Sequence, residues 1–168
     1  MNIFLRKLLD KTGIYFISPY DQEHLWWHNS GTERQLRELG AGPGARKGGR
    51  RRLTQRRWNI AELASTIIDL EGDTAEFGVA SGVTSQIIAF VTQVEGRSSR
   101  AHWMFDSFEG LPAPAEGDIA TGAPYLWKRG MLSYTQDEVE LRMNQYESIS
   151  VPGFLPDSLK TAKLEKLS

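Results

Sequence analysis

The sequence predicts an α/β fold in which helices connect the strands of one parallel sheet. Residues 76–82 read EFGVASG, an apolar stretch that runs into a glycine turn and then into a helix-like segment. A second apolar run, from Ala101 to Phe105, ends on Asp106 within FDSFEGLP. The alternation of strands and helices in this region implies right-handed crossovers between neighbouring parallel strands.

The amino-terminal part of the chain predicts short elements around a basic linker. Apolar residues at helical spacing predict an amphipathic helix over 1–9, and an apolar run predicts an extended segment over 13–19. Residues 40–52 are rich in glycine, arginine and lysine, which predicts a flexible linker or mobile loop. Asn59 is predicted to cap a helix that runs to about Leu70.

The remaining elements follow in the order of a parallel sheet with crossover connections. They are predicted at 74–79 (strand one), 83–93 (helix), 101–106 (strand two), 111–130 (loop), 136–146 (helix), 148–151 (strand three) and 157 (start of a last turn). We expect an amino-terminal helical and flexible region over 1–57 and a sheet-containing domain over 58–168.

Composition excludes several classes of function. The chain has 168 residues, a net charge of −1 and no cysteine. This length suits one domain, and the absence of cysteine excludes disulfides, thiolate metal sites and cysteine nucleophiles. The near-zero charge does not favour nucleic acid as a partner. No stretch is long and apolar enough to span a bilayer and no signal-peptide pattern begins the chain, so we expect a cytoplasmic protein.

The glycine turn and the acid of strand two together predict a site for a nucleoside-bearing cofactor. A tight turn after strand one, built on Gly78 and Gly82, lets the backbone approach a ligand. An acid at the tip of strand two, here Asp106, accepts hydrogen bonds from ribose hydroxyls. Both features are expected at the carboxyl edge of the sheet, where such ligands bind.

The residues around the turn favour S-adenosylmethionine (SAM) over a dinucleotide. Ala80 stands where a dinucleotide site has its middle glycine, and Glu76 lies directly before the turn. A carboxylate beside a pyrophosphate is repulsive, whereas beside the cationic amino end of SAM it is attractive. An NAD-binding enzyme is therefore the less favoured alternative.

These motifs resemble the macrocin O-methyltransferase (TylF/MycF-like) family of class I SAM-dependent methyltransferases. The resemblance rests on EFGV, on FDSFEGLP and on residues 153–159, and it runs from about Arg57 to the end of the chain. It implies a Rossmann-like fold of which this chain holds the amino-terminal half, strands one to three. It also implies that these strands lie in the order 3-2-1, with strand one at an open edge. It also implies O-methylation of a hydroxyl on a sugar or secondary metabolite.

The resemblance further implies a divalent metal, usually Mg²⁺, held by carboxylates that follow a fourth strand. No matching stretch occurs in this sequence, so we assign neither metal ligands nor a catalytic base, and we expect the 168-residue chain alone to be inactive. The predicted cofactor-binding residues are Glu76, Phe77, Gly78, Gly82, Thr84, Ser85, Asp106, Ser107 and Phe108. Thr84 and Ser85 could equally only begin the helix, and Phe108 could equally belong to the core.

Other clusters predict structure rather than chemistry. His24 and His28 would share a helical face, but no third metal ligand accompanies them. The basic cluster over 46–57 could bind phosphate or nucleic acid, although such glycine-rich segments are more often solvated loops. Three loop aromatics could shape an acceptor lid or pack on the core: Tyr125, Trp127 and Tyr134.

The predicted partners are a small-molecule acceptor and SAM, with no nucleic acid and no membrane span. A homo-oligomer is compatible with the sequence. One alternative of a different class is a non-catalytic binding module that uses residues 1–57 for a partner.

Overall fold

The computed structural model describes residues 30–42, 51–120 and 127–162. The predicted helix over 1–9, the extended segment over 13–19, the histidine pair and Tyr125 lie outside these residues. The chain divides into two compact units, Met1–Leu63 and Ala64–Ser168. The predicted division at residue 57 stays a prediction.

The first unit contains helix α1 (Ser30–Glu38) and most of helix α2 (Arg51–Ser65). The sequence analysis did not predict α1. Leu36 of α1 is fully buried, and the segment after α1 meets α2 where the Gly42 backbone N–H donates to the carbonyl of Thr54 at 2.9 Å. This unit is therefore helical over the residues that the structure describes.

Helix α2 corrects the predicted cap at Asn59. The helix begins at Arg51 and ends at Ser65, so Asn59 lies in its interior and the predicted end at Leu70 was too late. The side-chain carbonyl of Asn59 accepts a hydrogen bond from Gln55 Nε2 at 2.9 Å, one turn earlier. The arginines and glutamine that precede Asn59 are good helix formers, and they extend the helix backwards past the predicted cap.

The second unit contains a three-stranded parallel sheet. Its strands are β1 (Thr74–Phe77), β2 (His102–Asp106) and β3 (Ser148–Pro152), and their order is β1-β2-β3. Thr74 pairs with His102, and His102 pairs with Ser148. The predicted 3-2-1 order is confirmed, and β1 forms one edge of the sheet among the described residues.

Among the described residues, five further elements connect or follow these strands. Helix α3 (Val83–Ala89) continues as a π-helix over Phe90–Glu95, and helix α5 (Gln136–Met143) precedes β3. A short helix α4 (Glu116–Ala120) lies in the stretch predicted to be loop only. A 3₁₀ turn follows over Asp157–Thr161, where the sequence predicts a last turn. Among the described residues, no helix is both long and apolar enough to cross a membrane.

Helix α5 begins with a capping box. Thr135 is the N-cap: its side-chain oxygen accepts from the Glu138 backbone N–H at 3.3 Å, and its own backbone N–H donates to Glu138 Oε2 at 2.8 Å. The hydrogen bond from the Thr135 backbone, followed by the one from its hydroxyl, lowers the pKa of Glu138 below its ordinary value. Two N-terminal donors of the helix are thereby paired reciprocally.

The core of the second unit lies between one face of the sheet and helices α3 and α5. Its buried residues are Val79, Ala89, Met104, Phe108, Val139 and Met143. The opposite face is less covered: Phe77 is 51% exposed and Ile149 is 39% exposed, while Phe77 stacks on Phe105 with ring centroids 4.9 Å apart. Side chains alternate between the faces of a strand, so Thr74 and Glu76 face the helices and Phe77 faces away from them.

Candidate functional site

The three strands end at one edge of the sheet, and the candidate site is built from the loops that follow them. The Gly78 backbone N–H donates to the carbonyl of Phe105 at 2.9 Å, and the Gly153 N–H donates to the carbonyl of Asp106 at 2.9 Å. These bonds carry the pairing one residue past the strands. In open parallel sheets, ligands bind in the crevice outside this carboxyl edge.

Asp106 joins the turn after β1 to the loop after β2. Its Oδ2 atom accepts hydrogen bonds from the backbone N–H groups of Val79 at 2.7 Å and Ala80 at 2.9 Å, and its Oδ1 atom accepts from Phe108 N–H at 2.9 Å. A carboxylate offers about four acceptor positions. One acceptor position on Oδ1 therefore has no donor among the described residues. A ribose hydroxyl can contact Asp106 directly only at this oxygen.

The two glycines of EFGVASG face different surroundings, although both have a left-handed backbone. A Cβ atom built on Gly78 (φ +86°) would meet no atom within 4 Å, whereas one on Gly82 (φ +72°) would lie 3.1 Å from Val139 Cγ1. Gly78 therefore borders open space, and Gly82 permits close packing between the start of α3 and helix α5. A side chain at Gly82 would therefore first meet helix α5, and contact of Gly82 with the cofactor stays a prediction.

Ala80 adopts a backbone conformation that is uncommon for a residue with a side chain. Its φ is +47°, in the left-handed region. The hydrogen bond from its N–H to Asp106 helps to hold this conformation. Residues kept in such conformations cluster at ligand sites, where surrounding contacts determine the backbone.

Glu76 faces the interior helices and takes part in a row of polar side chains. Ser85 Oγ donates to Glu76 Oε2 at 2.5 Å, and His102 Nε2 lies 3.6 Å from the same oxygen. Thr74 Oγ1 lies 2.8 Å from His102 Nδ1. Ser85 and His102 are fully buried, so the Ser85 hydroxyl is committed to Glu76. The sequence analysis missed His102 and Thr74; a histidine two residues before Met104, on the buried face of the strand, was the available signal.

The structure separates the other predicted site residues. Phe77 lies on the opposite face of the sheet from Glu76, and Phe108 is 9% exposed and belongs to the core. Ser107 shapes its own loop, because its hydroxyl donates to the carbonyl of Gly110 at 3.2 Å and accepts from Glu109 N–H at 3.2 Å. Thr84 is half-buried at the start of α3. Contact of these residues with a cofactor stays a prediction.

A cavity of about 260 Å³ lies beside the loop after β2. It is lined by residues 109–113, Arg129 and Phe154. The segment that contains Arg129 is attached to this loop: Leu111 N–H donates to the Met131 carbonyl at 2.9 Å, and Trp127 Nε1 donates to the Pro112 carbonyl at 2.8 Å. Trp127 thus contacts the FDSFEGLP loop.

No group of three or more histidine, aspartate or glutamate side chains in the described parts of the chain could hold a metal ion. The described residues therefore do not fit the Mg²⁺ that the family resemblance implies. We assign no chemical step to a metal.

A glycine turn after β1 and an acid at the end of β2 define the Rossmann-like class of nucleotide-cofactor proteins. The model of the family described as "Macrocin-O-methyltransferase (TylF)" matches residues 8–168. The chain therefore belongs to this methyltransferase family, and the resemblance of its motifs is confirmed. The match begins well before Arg57, so it includes much of the amino-terminal region that the motifs left unassigned.

One relative and one solved structure are similar to this chain. The chain is 25% identical over 119 residues to "Demethyldecarbamoylnovobiocin O-methyltransferase" of Streptomyces niveus, covering 66% of this chain and 45% of the relative. It is similar in fold to "Structure of the O-methyltransferase NovP", with a TM-score of 0.57, 23% identity and coverage of 68% of this chain and 51% of that one. The chain thus spans about half the length of these relatives.

Proposed function

We propose that the protein is, or is part of, an O-methyltransferase that uses SAM to methylate a hydroxyl group of a small molecule. The observation that carries the proposal is the bonding of Asp106 to the backbone of the turn after β1. It brings the acid of β2 and the turn of β1 together at one crevice. Membership of the methyltransferase family supports SAM over NAD as the ligand of that crevice.

We assign the cofactor-binding roles to carboxylate oxygens that still have an unused acceptor position. Oδ1 of Asp106 accepts from a ribose hydroxyl, and Oε1 of Glu76 attracts the cationic amino group of the methionine part. The open side of Gly78 lets the backbone approach the ligand, because no Cβ fills that space. We assign the adenine base of SAM to the cavity lined by residues 109–113, Arg129 and Phe154, because this cavity borders the loop that follows Asp106.

SAM supplies an electrophilic methyl group on sulfur, and the acceptor oxygen must lie in line with it and lose a proton. The residues described here bind and orient the cofactor in this proposal, and they supply no identified base. A hydroxyl of a sugar or secondary metabolite is the proposed acceptor class. A cytoplasmic location, a homo-oligomeric state and inactivity of the 168-residue chain alone stay predictions.

The test is a calorimetric titration of the protein with SAM and, separately, with NAD⁺. We expect binding of SAM only. Asp106→Ala removes a charged acceptor, so the SAM affinity should fall by about tenfold to a thousandfold. The matched control is Asp137→Ala, because Asp137 is an exposed acid in the first turn of α5, and its loss should leave the affinity unchanged.

Other outcomes distinguish the alternatives. Binding of NAD⁺ instead of SAM would replace the methyltransferase proposal by the dinucleotide one. Binding of neither ligand would favour the non-catalytic module. Unchanged SAM affinity in Asp106→Ala would remove Asp106 from the site.

A further inference from the structure

Four polar side chains, which we call the polar row, connect β1, β2 and α3 beneath the glycine turn. Its members are Thr74, His102, Glu76 and Ser85, in spatial order. The sheet produces this arrangement because Thr74 and Glu76 lie two residues apart on one face of β1 and His102 is the register partner of Thr74 on β2. Ser85 approaches from the first turn of α3 and donates to Glu76.

His102 is the member of the row that needs an explanation. Its side chain is fully buried, and its Nε2 atom has no hydrogen-bond partner among the described residues. That atom lies 3.6 Å from Glu76 Oε2. An apolar residue would fill the same space without an unpaired polar atom, whose burial is costly. Two contacts distinguish histidine here from an apolar residue: the hydrogen bond between Nδ1 and Thr74 Oγ1, and the approach of Nε2 to Glu76.

The hydrogen-bonding capacity of the row selects one tautomer of His102. With the proton on Nε2, the Thr74 hydroxyl donates to Nδ1 over 2.8 Å and the Nε2–H faces the Glu76 carboxylate. With the proton on Nδ1, the lone pair of Nε2 would face a carboxylate oxygen, which is repulsive. The Glu76 carboxylate thus selects the tautomer with the proton on Nε2, and the Thr74 hydroxyl pairs with Nδ1 in that tautomer.

We propose that His102 is a positioning residue that holds Glu76 for the amino group of SAM; this inference rests on the proposed function. Ser85 and His102 both act on Oε2 of Glu76, and no described group donates to Oε1. The side chain of Glu76 keeps 14% of its surface exposed. Holding one oxygen from below orients the other towards a cation, because a carboxylate is rigid and planar.

The first experiment determines the tautomer of His102 by ¹⁵N NMR of the imidazole nitrogens, without any ligand. The chain has three histidines, and His102→Gln identifies the signal by its loss. We expect a protonated Nε2 in the wild type and a loss of this preference in Glu76→Leu, because the carboxylate that attracts the Nε2 proton is then absent. A protonated Nδ1 in the wild type would overturn the proposal whether or not the protein binds SAM.

The second experiment measures SAM affinity by calorimetry. His102→Leu should weaken binding by about threefold to tenfold, because a net hydrogen-bond-sized contribution is lost. His102→Gln should restore the affinity to within about twofold of the wild type, since its amide nitrogen supplies a donor near the position of Nε2. The effect of His102→Leu should disappear in a Glu76→Gln background, because the two residues act as one unit.

The matched control is Thr92→Val, which removes a fully buried hydroxyl that donates to the Ile88 carbonyl at 2.9 Å, away from the row. It should lower stability and leave SAM affinity unchanged. Equal losses of affinity in His102→Leu and in the control would show a structural role only. Additive effects of His102→Leu and Glu76→Gln would also overturn the proposal. Absence of SAM binding in the wild type would overturn the proposed function, and with it this role of His102, even if the tautomer is as expected.

Discussion

The two ends of the turn between β1 and α3 use glycine for different physical reasons. Gly78 borders open space, so its missing side chain matters to a ligand. Gly82 faces Val139 and Arg142 of α5, so its missing side chain matters to the packing of the protein. Both have a left-handed backbone, and the sequence pattern alone does not distinguish them. A glycine in a cofactor motif is therefore not by itself a ligand contact.

Substitution of Gly82 should give the largest loss of stability. In Gly82→Val the new side chain would strain the left-handed backbone and overlap Val139, so unfolding should become easier by about 2–5 kcal/mol. Urea denaturation followed by circular dichroism measures this. The losses caused by Gly82→Ala and Val139→Ala should be less than additive in the double variant, because truncation of Val139 relieves the overlap. Wild-type stability with loss of SAM binding would contradict the packing role.

Gly78→Ala should lower SAM affinity more strongly than it lowers stability. Its Cβ would meet no protein atom, so the stability loss should be limited to the left-handed backbone strain of about 1–2 kcal/mol. The same Cβ would occupy the proposed cofactor crevice, and SAM affinity should fall by about tenfold or more. The control is Gly117→Ala in the short helix α4, where a Cβ also meets no atom. Unchanged SAM affinity in Gly78→Ala would place the cofactor elsewhere.

Removal of the α5 cap should have the smallest effect. Thr135→Ala should lower stability by about 1 kcal/mol, through loss of the N-cap side chain. Because α5 carries Val139, which Gly82 packs against, the start of α3 should be destabilised more than the end of β2. Hydrogen exchange of the backbone N–H groups in α3 and β2 would compare the two regions. Equal protection in the variant and the wild type would show that the cap does not support this packing.

The same cap predicts a dependence on pH. The pKa of Glu138 is lowered in the folded state, chiefly by the hydrogen bond from the Thr135 backbone. Its ionised form therefore stabilises the folded protein above the ordinary pKa of glutamate, and this contribution is lost as pH falls through the lowered value. Glu138→Gln should consequently differ in stability from the wild type less in acid than at neutral pH, as measured by urea denaturation at both.

The two predicted acids of the site also differ, in the kind of group that holds each of them. Asp106 was predicted from its place at the end of an apolar strand, and its partners are backbone N–H groups of an adjacent loop. Glu76 was also predicted, but its partners are the side chains of Ser85 and His102. Backbone donors are present in any sequence that forms the turn, whereas the pairing with His102 depends on the register of β1 against β2.

The strand order was expected from the family resemblance, whereas local pattern by itself determined the parallel sheet, the approximate bounds of its strands and the candidate acids. Those features follow from apolar periodicity, glycine turns and the handedness of crossovers, which act over neighbouring residues. Tertiary structure alone decided that Gly82 packs on Val139, that Phe108 is core, and that His102 faces Glu76. Such contacts join residues far apart in the chain, so they are set by how α3, α5 and the strands pack together rather than by any one segment.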